Sequence, residues 1–87
     1  MTTYVVSYDL IKNKDYTKIT EAIKAYGNWC NPLESFYIIE TALTSAQVLD
    51  NLKKFIDSDD QLLVVQCDLN HWTSINLSKA VTDWMGG

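Results

Sequence analysis

Eighty-seven residues make one domain, and a chain of this size buries only about 60–65% of its unfolded surface, so its core is thin and oligomerisation is a useful supplement. With 47% hydrophobic residues and three tryptophans, disorder is not expected, and the apolar surplus points to a self-association surface. Seven lysines, no arginine and eleven acids leave a net charge of -4, which counts against gripping nucleic acid by bulk positive charge. Local patches still matter more than the sum.

Cys30 and Cys67 form no CxxC pair, and with His71 as the single histidine a structural zinc site lacks ligands. They read as two buried thiols of a reducing cytosol. No basic segment followed by an apolar one opens the chain, and no run reaches the ~18 apolar residues of a membrane span. A cytoplasmic location is expected.

Residues 3–10, TYVVSYDL, are β-branched and aromatic and end in an acid. Their near-continuous apolarity predicts an inner strand with both faces covered. Tyr4, Val6 and Tyr8 fall on one face, and Val5, Ser7 and Asp9 on the other. Asp9, at the strand exit, either starts the following loop or shows a carboxylate to solvent.

Residues 11–15 turn the chain, and Asn13 or Asp15 can cap a helix running to about residue 26. Tyr16, Ile19, Ile23 and Tyr26 make its apolar stripe, and Gly27 ends it. Residues 28–41 predict two strand pieces forming a hairpin or kinked ribbon, interrupted by Pro32. Thr44 and Gln47 fit a capping box for a helix to about residue 56. A polar DSDD turn follows, then the strand QLLVVQC over residues 61–67. Leu77, Val81, Trp84 and Met85 keep helical spacing behind Ser78, a candidate cap, so a short C-terminal helix is expected to pack on the sheet or on a partner.

The order βαββαβ predicts an α+β, ferredoxin-like fold: a four-stranded antiparallel sheet with two helices on one face, plus the C-terminal helix. The core spans about residues 3–67 and the extension residues 70–85 of a single domain. The other sheet face is bare unless something covers it, and a second copy of the chain is the natural cover.

The joint order of YVVSYDL, a helix ending in YG, the segment ESFYIIE and a late strand after DSDD resembles the CRISPR-associated protein 2 family of small spacer-acquisition proteins, often described as endoribonucleases. The resemblance covers roughly residues 3–67 and also admits a diverged relative outside CRISPR loci. It implies a ferredoxin-like homodimer packed sheet to sheet, with paired Asp9 carboxylates near the dimer axis holding a divalent metal, magnesium or manganese. Two facing carboxylates repel, so a cation bridges them or one is protonated. The resemblance also aligns Ser35 and Phe36 with the family's Ser-Phe pair, as ligand or interface residues. The chain departs from the family pattern where an arginine-rich stretch would follow the aspartate. It has only Lys12, Lys14 and Lys18 there, read either as a solvated loop or as a small rim that meets phosphate, with Lys12 and Lys14 the candidate phosphate binders. The Asn31-Pro32-Leu33 turn and the Trp-containing tail also depart from it.

Asp57, Asp59 and Asp60 lack the glycine and distal glutamate of a calcium loop and read as a turn. Trp29, Trp72 and Trp84 have no cationic cluster around them and read as packing residues rather than base stackers. Three functions follow: a non-catalytic dimeric interaction or assembly module with a protein partner; a metal-dependent endoribonuclease or phosphodiesterase using paired Asp9; or a nucleotide or small-molecule binder at the dimer groove. Whether the chain is an enzyme is left open by its residues.

Overall fold

The computed structural model describes residues 1–11 and 15–86. Four strands, β1 (Thr2–Asp9), β2 (Trp29–Leu33), β3 (Phe36–Thr41) and β4 (Gln61–Cys67), form one antiparallel sheet in the order β2-β3-β1-β4. Helices α1 (Thr17–Lys24) and α2 (Ser45–Leu52) follow β1 and β3, and α3 (Lys79–Gly86) closes the chain. This is the ferredoxin-like arrangement expected. Both crossovers join strands of like direction and are right-handed by the general rule for such connections, which puts α1 and α2 on the same side of the sheet.

The inner face is set by alternation in β1. Tyr4, Val6 and Tyr8 are buried there with Leu10, and Ile19 and Ile23 of α1, Tyr37 and Ile39 of β3, and Val48 and Leu52 of α2 complete the cluster. The tyrosines keep their polar ends satisfied: the Tyr4 hydroxyl donates to the Leu43 carbonyl at 2.8 Å. The Tyr8 ring stacks on Tyr37 at 6.3 Å. Burial, with a smaller contribution from Tyr37, pushes the Tyr8 phenol up to about 12.

Most local signals act where the sequence places them. The N-cap of α1 is Tyr16, without a side-chain cap bond, rather than Asp15; one residue earlier, the Asp15 carboxylate accepts from the Thr17 amide at 2.9 Å and the Thr17 hydroxyl at 2.6 Å, which holds that carboxyl below its ordinary range. Asn13, the alternative cap, lies outside the described residues. Thr44 accepts from the Gln47 amide and the Gln47 side chain accepts from the Thr44 amide, a complete capping box. The Ser78 hydroxyl accepts from the Val81 amide at 3.3 Å at the start of α3.

Two helices are shorter than their apolar spacing predicts. α1 ends at Lys24, and Gly27, at φ +87°, reverses the chain behind it. α2 ends at Leu52 and tightens into a 3-10 turn over Lys53–Phe55. Between β2 and β3 the register shifts between Cys30 and Leu33, where Pro32 has no amide to donate to the ladder. The Asn31 side-chain amide spans the irregularity, donating to the Leu33 and Phe36 carbonyls at 2.6 and 2.9 Å.

Candidate functional site

The outer face of the sheet, opposite α1 and α2, carries the residues that the sequence marks for function. It is built from the odd positions of β1, Val5, Ser7 and Asp9, and from their cross-strand partners. Val5 lies beside Ile38 and Val65, Ser7 beside Phe36 and Leu63, and Asp9 beside Gln61. Leu33 at the end of β2 pairs with Phe36. The expectation that both faces of β1 are covered fails here. Val5 and Ser7 are half-buried, and beside them Leu63 and Val65 are 58% and 44% exposed and Leu33 57%, because α1 and α2 lie on the other side.

The same face is closed at its β2 end. Ile38 and Cys30, cross-strand neighbours outside the main core cluster, are only 2% and 5% exposed. Flanking strands do not bury a side chain on an open sheet face, so another layer must lie over them. α3 is the helix in contact with β2. Its Trp84 indole N–H donates to the Asn28 side-chain carbonyl at 3.0 Å, and the Asn28 amide in turn donates to a Glu40 carboxylate oxygen. Trp72 lies against the end of α3 at Gly86. The C-terminal helix therefore packs on its own sheet, one of the two placements expected for it. Beneath it, desolvation pushes the Cys30 thiol up to about 11. Cys67 is half-buried rather than buried, and its thiol is also raised by desolvation.

Asp9 is exposed at the opposite end of β1. It lines a hollow of about 220 Å³ with Ser7, Tyr8, Gln61, Leu62 and Leu63, and among the described residues this lining holds no cation and no second carboxylate. Three-acid groupings of metal-binding geometry among the described residues do not include Asp9. Within one chain it offers one carboxylate.

Lys12 and Lys14, the candidate phosphate binders, lie outside the described residues. Lys18, expected on the same rim, instead lines a hollow of about 280 Å³ with Asp15, Lys54, Asp57 and Asp60 on the helix side, where acids outnumber it. Asp60 fastens this corner: its carboxylate accepts from the Ile11 amide at 2.9 Å and the Asp57 amide at 2.8 Å. The DSDD turn thus anchors the chain leaving β1, a role that its composition alone did not specify.

Ser35 sits at φ 57° in the turn between β2 and β3. Its carbonyl accepts from the Tyr8 amide at 3.2 Å and, more weakly, from the Ser7 hydroxyl at 3.4 Å. The Ser35 side chain opposes the upward shift of the Tyr8 phenol. These contacts join the hairpin to β1. Phe36 is half-buried on the outer face, next to Ser7 and Leu33. The pair therefore divides: Ser35 locks the turn, and Phe36 widens the exposed apolar strip. Ile38 was not singled out from sequence, although continuing the odd-face alternation of β1 across the sheet would have found it, whereas Cys30 is buried as expected of its thiol.

Among the described residues no helix is long and apolar enough to cross a membrane. Comparison with curated proteins and with solved structures finds no match. The family model described as CRISPR associated protein Cas2 matches residues 1–75, ending before α3 begins. That match spans all four strands and both core helices, in the order and topology described above, and the chain belongs to the Cas2 family.

Proposed function

We propose that this chain works as a homodimeric, non-catalytic assembly module in the cytoplasm, pairing through the outer sheet face and presenting the dimer to a protein partner. One observation carries the reading: Leu33, Phe36, Val5, Leu63 and Val65 form an uncharged apolar strip on that face, with the Asp9 carboxylate at its edge. Exposed leucine and valine side chains that share one sheet face are stabilised by burial against a complementary surface, and a two-fold axis makes the strip complementary to itself. The acidic, arginine-free composition is consistent with a partner other than bare nucleic acid.

Family membership and the exposure of Asp9 favour a second reading, metal-dependent cleavage of a phosphodiester. Magnesium is commonly held by one or two carboxylates plus waters and phosphate oxygens. One Asp9 per chain supplies the first carboxylate and a second copy would supply the other, so Asp9 would be the residue holding magnesium or manganese. Such an ion polarises a phosphoryl oxygen and lowers the pKa of bound water. Within the chain, the Asp9 carboxylate would hold its place through the β1 to β4 ladder beside Gln61.

The deciding experiment incubates purified wild type and Asp9→Ala with labelled single-stranded RNA and duplex DNA, with magnesium or manganese, and measures sedimentation of the same samples. A dimer without cleavage above the Asp9→Ala background is the expected outcome. Metal-dependent cleavage that disappears in Asp9→Ala would replace the assembly reading with the enzymatic one.

A further inference from the structure

We propose that α3 is a displaceable cap that competes with a second copy of the chain for the outer sheet face, so that self-association is held back until the helix lifts. This rests on the dimer reading above and adds its regulation.

The first argument is area. Strands lie ~4.8 Å apart and rise ~3.3 Å per residue, so the uncovered strands β1 and β4, eight and seven residues long, present a strip of roughly 10 by 25 Å. A stable pairing removes about 800 Å² from each partner, and a strip of roughly 250 Å² in projection falls well short of it. Releasing the part of β2 and β3 under α3 brings the face to at most roughly 500 Å² in projection, closer to that requirement than the strip left with α3 in place. It also continues the same apolar strip, since Ile38 stands directly beside Val5, and Cys30 beside Ile38. The occupant that fits is a second copy, because the enlarged face is uncharged at its centre and has the same length on both sides of a two-fold axis.

The second argument is how lightly α3 is held. None of its side chains is fully buried, and none belongs to the main core cluster. The Lys79–Asp83 ion pair at 2.7 Å lies within the helix and does not tie it to the sheet. Its side-chain hydrogen bond to the sheet runs from Trp84 to Asn28, both on the periphery. An element with few buried contacts opens at low free energy, well before the core does. When only an open fraction of molecules can dimerise, the apparent affinity is reduced by that fraction, and loosening the cap restores it.

The test uses the full chain with Thr82→Pro, which removes the Thr82 amide bond to the Ser78 carbonyl inside α3, and separately Trp84→Ala, which removes the tether. Far-UV circular dichroism and the thermal midpoint check that the core stays folded. Two readouts follow: alkylation of Cys30 at concentrations where the protein is monomeric, and the dimer Kd by sedimentation. The expected result is faster Cys30 alkylation in both variants and a dimer at least about tenfold tighter than wild type. Faster alkylation with an unchanged or weaker dimer would overturn the competition and leave the dimer reading standing. Cys30 as protected in the variants as in wild type would overturn α3 as its cover. Folded variants with exposed Cys30 that stay monomeric at hundreds of micromolar, like wild type, would overturn the dimer reading itself.

Discussion

Leu63→Ala offers the sharpest test of the outer face, because Leu63 projects from β4 on the bare side and is 58% exposed. Leucine to alanine removes three carbons, worth ~0.8 kcal/mol each when fully buried, or ~2.4 kcal/mol in total. Only the exposed 58% remains to be buried by a partner, which leaves about 1.4 kcal/mol per copy. A two-fold interface contains the residue twice, so the dimer loses ~3 kcal/mol, a weakening of roughly a hundredfold in Kd. The folded monomer should lose far less, since most of the side chain already meets water. Sedimentation equilibrium gives the Kd, and urea unfolding at a concentration below it gives the monomer stability. An unchanged Kd in a folded variant would refute the placement of the interface. A monomer stability loss of the same ~3 kcal/mol would show that Leu63 is a core residue after all.

Leu52→Ala should behave in the opposite way, since Leu52 is 1% exposed between α2 and the sheet: about 3 kcal/mol of monomer stability is lost by urea unfolding, with little direct effect on pairing. The raised thiol of Cys30 and phenol of Tyr8 set an alkaline limit. Each favours the folded state only while protonated, so their contribution is complete below pH 9 and is lost as pH rises through about 11 for Cys30, and between 10 and about 12 for Tyr8. Stability should therefore fall with pH in that range, and Cys30→Ala should flatten the lower part of the fall; an unaltered slope would count against burial of the thiol. At pH 8, mass spectrometry should find Cys67 alkylated before Cys30, because the former is half-buried and the latter is covered.

The parts of this protein legible from sequence are those in which the deciding partners lie a few residues apart. The period-two alternation of residues 3–9 placed Tyr4, Val6 and Tyr8 on one face and Val5, Ser7 and Asp9 on the other, as the register shows. The Thr44–Gln47 capping box and the interruption at Pro32 are equally local, and together with element order they led to the ferredoxin-like sheet. Helix lengths were read less well, since apolar spacing continues past Lys24 and Leu52 although the backbone turns away there.

What tertiary structure decided is which surfaces meet. The contact between Trp84 and Asn28 spans 56 positions, and that between Ile11 and Asp60 spans 49; neither leaves a trace in any local pattern. The first puts α3 on the β2 end of the outer face and hides Ile38 and Cys30, while the second turns an acidic run into an anchor and accompanies Lys18 among acids, away from Asp9. Alternation states that a strand has two faces, but only the handedness of the crossovers and the packing of the helices determine which face is left to water, and so where a second copy can bind.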